Sequence, residues 1–277
     1  MAEIHHLTYG AVNPVVAYLI AFVGSLLGLV CTSRARAARH RRRRTRWLVL
    51  AAITIGGAAL WLMHFTAMFG FDVPDSPVRY SPWLTVASLV VAVVTVGSGL
   101  FIVGRGAPTG GRILLGGMLT GAGAVAMHYT AMAALRVAGR IEYAGVLVAA
   151  SVIIAIAGAT LALWLVVAVR GWRAVIAGAF VLGLGVCGMH YAGMAAMRVR
   201  LWTPGEATVE GISPSLLIVP ITVLAAVTLI GVAFSALQAM TEEEFADDRW
   251  PASRAAGRPA PIDPAARWSA RAVRRVQ

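Results

Sequence analysis

The stretch Met127-His128-Tyr129-Thr130-Ala131-Met132 decides how this chain is organised, because the sequence contains it three times. The earlier copy is Met63-His64-Phe65-Thr66-Ala67-Met68, and the later copy is Met189-His190-Tyr191-Ala192-Gly193-Met194. The pattern M-H-[FY]-[TA]-[AG]-M therefore recurs with its histidines 64 and 62 residues apart. This nearly equal spacing indicates that a structural unit of about 60 residues is repeated along the chain.

The composition is that of a membrane protein. Of the 277 residues, 59% are hydrophobic and 13% are charged, whereas soluble domains contain about 25% charged residues. Inside a bilayer the backbone must satisfy its own polar groups, so each long apolar run is expected to form a helix. We therefore predict an all-α, multi-pass protein of the plasma membrane.

Seven apolar runs are long enough to cross a bilayer, which requires about 20 residues. They cover residues 12–30, 47–70, 83–103, 113–135, 144–169, 174–197 and 214–240. Each motif ends an even-numbered run, so the repeated unit contains two helices. The sequence thus predicts a seven-helix membrane domain over residues 1–240, followed by a tail over residues 241–277. The tail is rich in Pro, Ala and Arg and lacks apolar periodicity, which is typical of disorder.

The arginines predict the orientation. All 24 basic residues are arginine, and eight of them lie between Arg34 and Arg46, directly after the first run. The loops after runs one, three and five contain 12 arginines, and those after runs two, four and six contain five. Positive charge is retained on the cytoplasmic side, so we expect the N-terminus outside and the C-terminus inside. A basic run placed between two membrane spans is a topology signal, and we expect no nucleic-acid partner.

The motifs supply soft nitrogen and sulphur donors at one depth. Runs two, four and six have the same direction, so all three motifs lie near the outer face and can converge if these helices adjoin. On a helix, a His and the Met four residues later share one face. Imidazole with thioether favours copper, and thioether favours Cu(I). Zinc would be expected to add Cys or carboxylate. The predicted metal ligands are His64, Met68, His128, Met132, His190 and Met194.

In number, order and spacing, the motifs resemble the signature of the MHYT family of bacterial integral-membrane sensor domains, over roughly residues 5–240. The resemblance implies seven helices, copper bound by His and Met, and a diatomic gas such as O2, CO or NO as the signal. It adds Met63, Met127 and Met189 as candidate ligands. Phe65 stands where the family has Tyr and Ala192 where it has Thr, which limits any role of the Tyr hydroxyl to the other two copies.

The resemblance also bears on enzymatic activity. Relatives often carry domains that make or degrade cyclic di-GMP after the membrane unit. The tail of this chain is too short for such a domain, so we expect no enzyme. A signal would then pass to a separate cytoplasmic partner, through the Arg34–Arg46 loop or the tail.

Simpler interpretations and other functions remain open. A Met at helical spacing commonly packs, and a membrane His can bond across a helix interface. Cys187, one turn before His190, is a further candidate ligand but also suits packing. A metal permease would need ionisable or polar residues stepping across the bilayer, and the apolar runs contain no Asp, Glu, Lys or Arg well inside them. A haem redox protein would need histidines on facing helices.

Overall fold

The structure, a computed structural model, describes residues 10, 12–69, 71–74, 76–105, 107, 109–168, 171–202, 209–217, 219–223, 226–227, 230–231 and 233–234. Six of its helices are long and apolar enough to cross a membrane: Val12–Ala37, Arg41–Met68, Pro82–Gly104, Gly110–Ala134, Gly145–Ala168 and Trp172–Ala196. We number them first to sixth. The described part contains no large sheet, which confirms the all-α, multi-pass prediction.

The seventh predicted span is described only in part. Pro214–Val223 forms a shorter apolar helix, whereas residues 235–240 lie outside the described residues, as does the predicted tail over residues 241–277. The seventh crossing, the orientation in the membrane and the domain boundary at residue 240 therefore stay predictions.

The six long helices form a closed ring. The first helix packs between the sixth and the second, the third between the second and the fourth, and the fifth between the fourth and the sixth. The second, fourth and sixth helices also contact one another. Because these three carry the motifs, the ring places one motif helix at each corner of an approximate triangle.

Glycines allow the helices to approach closely. A Cβ atom added at Gly24 of the first helix would lie 2.7 Å from the backbone nitrogen of Ala59 in the second. A Cβ atom added at Gly158 of the fifth helix would lie 3.0 Å from the Cα atom of Gly185 in the sixth. Small residues at such crossings bring the backbones together, and in a bilayer this dispersion contact is a main source of helix association.

The second helix changes its winding just before its motif. It is α-helical over Arg41–Ala52, π-helical over Ile53–Leu62 and α-helical again over Met63–Met68. A π-helix has wider turns with i→i+5 hydrogen bonds and is commonly a single turn next to a functional site. The ten residues seen here form a longer segment, which no pattern in the sequence predicted.

The π-helical segment shifts one helix contact by one residue. In the fourth helix, Gly121 lies seven residues before the motif histidine, and an added Cβ atom would lie 2.6 Å from the Cα atom of Ile156. Gly57 occupies the same sequence position in the second helix, yet its nearest neighbour would be 3.9 Å away. Gly56 makes the close contact instead, with an added Cβ atom 2.9 Å from the Cα atom of Val93.

Short strands connect the loops at the motif end of the ring. Strand β1 (Arg79–Tyr80) pairs antiparallel with β2 (Leu135–Arg136), and β3 (Gly139–Tyr143) pairs with β4 (Met197–Leu201). Tyr80 also forms a bridge with Ile212. The loops that follow the second, fourth and sixth helices are thus joined into a cover over the motif ends, a feature that no pattern in the sequence predicted.

Candidate functional site

The three motif helices bring His64, His128 and His190 into direct contact. The Nδ1 atom of His64 lies 3.1 Å from Nδ1 of His190 and 3.2 Å from Nδ1 of His128. The rings meet edge to face, with centroids 5.0 to 5.2 Å apart. Among the described residues, this histidine triad is the one group of three His, Cys, Asp or Glu side chains close enough to hold a metal ion.

The triad is closed to solvent. The relative exposure is 1% for His64, 0% for His128 and 1% for His190. Each histidine lies within the last two turns of its helix, because the helices end at Met68, Ala134 and Ala196. The strand-linked loops cover this end, so an ion bound by the triad would have no direct contact with bulk water.

Nδ1 of His64 cannot form full hydrogen bonds with both neighbouring histidines. A neutral imidazole offers one N–H donor and one lone-pair acceptor, so Nδ1 of His64 can donate one bond or accept one bond. It nevertheless lies within hydrogen-bond distance of two other Nδ1 atoms. A buried polar atom left without a good partner costs about 1–3 kcal/mol. A shared cation would remove this conflict, since it accepts a lone pair from each nitrogen.

The nitrogen spacing fits such a cation. Imidazole nitrogens bind zinc at about 2.0–2.1 Å, and copper also accepts imidazole. Two ligands of a tetrahedral ion at this distance are about 3.3–3.4 Å apart. The observed separations of 3.1 and 3.2 Å are within a few tenths of an ångström of that value. Three nitrogens would leave a fourth position open, as catalytic metal sites do.

The outer nitrogens of two triad rings lack a partner. Nε2 of His64 and Nε2 of His128 are buried without a hydrogen bond among the described residues. Nε2 of His128 packs against Gly193, at position five of the third motif, where an added Cβ atom would collide with it. The first and second motifs have Ala67 and Ala131 at this position. Gly193 therefore creates the space in which the His128 ring lies.

The third motif position forms an aromatic layer beside the triad. His64 meets Phe65 edge to face at 5.0 Å, and His128 and His190 meet Tyr129 and Tyr191 in the same way, each at 4.9 Å. Phe65, which stands where the other two motifs have Tyr, thus keeps the contact between the aromatic ring and the histidine. The Tyr129 hydroxyl forms a hydrogen bond of 3.0 Å with the hydroxyl of Ser151. This partner was not predicted from the sequence, because Ser151 lies outside the three motifs.

The predicted sulphur ligands are all buried. The exposed fraction is at most 4% for the six motif methionines, Met63, Met68, Met127, Met132, Met189 and Met194. Burial suits both packing and ligation, so their role as ligands stays a prediction. Cys187 is also buried, but it is not part of the group of close ligand atoms that the triad forms.

Sequence comparison agrees with the repeat. The profile of the MHYT family, described as the N-terminal repeat of bacterial signalling proteins, matches residues 57–116, 121–179 and 183–246. Each match begins at the glycine seven residues before a triad histidine. No solved structure matches the chain.

Several curated proteins are similar over most of the chain. MucR of Pseudomonas aeruginosa, a bifunctional diguanylate cyclase/cyclic di-GMP phosphodiesterase, is 32% identical over 84% of this chain and 35% of its own length. The cyclic di-GMP phosphodiesterase NbdA of the same organism is 32% identical over 72% of this chain and 26% of its own length. The signalling protein YkoW of Bacillus subtilis is 30% identical over 69% of this chain and 24% of its own length.

The region shared with these relatives is therefore about a third of their length or less. In this chain the three repeats bring together the buried histidine triad. The chain belongs to the MHYT family of bacterial signalling proteins.

Proposed function

We propose that this membrane sensor module binds one metal ion, copper, through His64, His128 and His190. The observation that carries the proposal is the contact of the buried Nδ1 atom of His64 with Nδ1 of His128 and Nδ1 of His190, two neighbours with which a neutral imidazole nitrogen cannot form two full hydrogen bonds. When bound, the ion would supply a redox-active centre with an open position for a small ligand. The protein would hold the three rings and exclude water.

The donor set supports copper over other ions. Three imidazoles alone suit zinc, copper, iron or nickel, whereas thioether sulphur favours Cu(I). A methionine four residues after each triad histidine, at positions 68, 132 and 194, lies on the same helix face as that histidine. Because all three are buried, they are the candidate sulphur ligands or the apolar lining that keeps Cu(I) from water.

The two alternative functions fit less well. A permease needs a series of sites across the membrane, whereas the described residues contain a single group of close metal-ligating side chains, near one end of the helices. A haem held between two histidines needs two metal–nitrogen bonds on opposite sides, and hence nitrogens about 4 Å apart. The triad nitrogens are closer, at 3.1 and 3.2 Å, and no space for a porphyrin separates them.

The sensing role rests on family membership. The curated names of MucR and NbdA refer to cyclic di-GMP enzymes, but the shared region is only part of each. We propose that the shared region perceives the signal in the plasma membrane, either a diatomic gas, a redox change or copper itself. The signal would then reach a separate cytoplasmic partner through the end of the ring opposite the triad, where the arginines between Arg34 and Arg46 lie.

The decisive measurement is metal content. The protein, purified in mild detergent from cells supplied with copper, is expected to contain about one copper per chain by mass spectrometry of the elements. A His64/His128/His190→Ala variant should lose it, whereas His40→Ala, at the opposite end of the second helix, should retain it. The single substitution His128→Asn, which should also reduce the copper content, provides the same test if the triple variant does not fold. Metal-free wild-type protein would refute the metal site, and zinc in place of copper would refute the copper assignment.

A further inference from the structure

The eight arginines between Arg34 and Arg46 have no acidic partner at their end of the ring. Among the described residues the acidic side chains are those of Asp72, Glu142 and Glu210, and all three lie in the loops at the motif end. The positive charge at the opposite end is therefore balanced only from outside the described part of the chain.

The start of the second helix increases this demand for negative charge. Its N-cap residue, His40, forms no side-chain capping hydrogen bond, and its first turn contains no acidic residue. The free backbone N–H groups give the N-terminus of a helix a partial positive charge, which acidic side chains stabilise. Here the first turn is Arg41–Arg44, so four full positive charges add to the partial one. This arrangement favours a bound anion.

Two of the arginines are held in place at the membrane edge. An Nη2–H of Arg44 donates to the carbonyl oxygen of Ala38 at 3.1 Å, and the guanidinium of Arg34 lies 5.5 Å from the ring centre of Trp47. Tryptophan is enriched at the headgroup level of membranes. Trp47 is six residues after Arg41, about 9 Å along a helix, so the arginines lie within reach of lipid headgroups.

The outward face of the second helix changes from basic to aliphatic at this level. Arg42, Arg46, Val49 and Ile53 share one helix face, since they are four, three and four residues apart. The two arginines are exposed, and Val49 and Ile53 are 43% and 36% exposed. A soluble anion or an acidic protein could use only the basic part of this stripe. A molecule with a negative head and an apolar chain could cover all of it.

We infer that the start of the second helix binds an anionic phospholipid, with the phosphate at Arg42 and Arg46 and an acyl chain along Val49 and Ile53. Guanidinium groups form strong charge-assisted hydrogen bonds with phosphate, and basic clusters beside a membrane span recognise anionic headgroups. The inference does not depend on the metal site. It places the lipid on the helix that carries His64, at the end opposite the triad.

Native mass spectrometry of the full chain in neutral detergent tests the site, because it resolves the first lipid bound. Phosphatidylglycerol is titrated against phosphatidylcholine, which has no net charge, and against glycerol 3-phosphate, which has no acyl chain. Each arginine at an anionic surface contributes about fivefold to binding. Arg42→Gln/Arg46→Gln should therefore lower the affinity for phosphatidylglycerol about 25-fold and leave that for phosphatidylcholine unchanged.

Arg136→Gln/Arg140→Gln is the matched control, since it removes the same charge from exposed positions at the motif end and should leave the affinity for phosphatidylglycerol unchanged. Equal losses in the two variants would overturn the inference, because they would show attraction by net charge alone. Wild-type protein that binds both lipids equally, or binds glycerol 3-phosphate as tightly as phosphatidylglycerol, would also overturn it. Arg46→Gln, with an expected loss of about fivefold, replaces the double variant if that does not fold.

Discussion

Substitution of Gly193 by Ala should weaken metal binding although residue 193 is not a ligand. A Cβ atom at this position would lie 3.0 Å from Cδ2 and 3.3 Å from Cε1 of His128, and closer still to Nε2. Carbon atoms are in optimal contact at about 3.5–4.0 Å, so the ring would have to retreat by roughly half an ångström or more. Metal–ligand distances tolerate only about 0.2 Å. We expect the affinity for copper to fall about 10- to 100-fold, as it does when groups that orient a ligand are changed.

The assay is a competition titration of Cu(I) against a chromophoric chelator, made on detergent-purified protein. Gly183→Ala is the matched control, because it makes the same change on the same helix where the nearest atom would be an ordinary 3.4 Å away. Wild-type affinity in a folded Gly193→Ala variant would show that the His128 ring is not a ligand or is free to move. Equal weakening by Gly183→Ala would show that added bulk on this helix, not contact with His128, is responsible.

Three further outcomes are expected. Gly56→Ala should destabilise the protein by about 1–3 kcal/mol through overpacking against the third helix, whereas Gly57→Ala should have little effect. Thermal unfolding of the two variants in detergent measures this difference. A Gly57→Ala variant less stable than Gly56→Ala would show that the π-helical register is wrong. Trp61→Phe removes the indole N–H that donates to the Thr85 carbonyl oxygen at 3.2 Å and to the Ser88 hydroxyl at 3.0 Å. This change should lower the free energy of unfolding by about 1–3 kcal/mol. Trp83→Phe, which changes an exposed tryptophan, is the control and should have little effect. Removal of copper by a chelator should lower the melting temperature of the wild-type protein but not of the His64/His128/His190→Ala variant. The reason is that a ligand present at 100 times its dissociation constant stabilises the folded protein by about 2.7 kcal/mol. Identical shifts of the melting temperature in both proteins would show that copper binds elsewhere.

Much of the framework could be predicted from sequence because it depends on local patterns. Apolar length predicts the six long helices, and the repeated motif predicts that His64, His128 and His190 end parallel helices. That they would meet was conditional on the helices being neighbours, which hydropathy does not determine. The closed ring supplies this condition. It depends on glycine contacts such as Gly24 with Ala59, which are recognisable only when both helices are placed.

Other parts of the site had no sequence signal. The π-helical segment Ile53–Leu62 has the same residue types as an α-helix, and its widened turns appear only as a one-residue shift from Gly57 to Gly56. Strands β1 and β2 have two residues each, too short for an alternating pattern, and they form because the helices deliver their loops to one place. The space that Gly193 leaves for His128 involves two different repeats, so neither motif shows it alone.

The triangular arrangement of the motif helices has a consequence for how such a protein can arise. Each repeat supplies one imidazole, so one or two copies offer too few nitrogens for a three-coordinate centre. A protein with a single repeat could make the same centre only as a trimer, with a ligand from each chain and a loss of association entropy on assembly. Fusion of three copies makes the closure intramolecular and frees each histidine environment to change separately. Gly193, at a position where the other copies have Ala67 and Ala131, shows that such divergence has occurred.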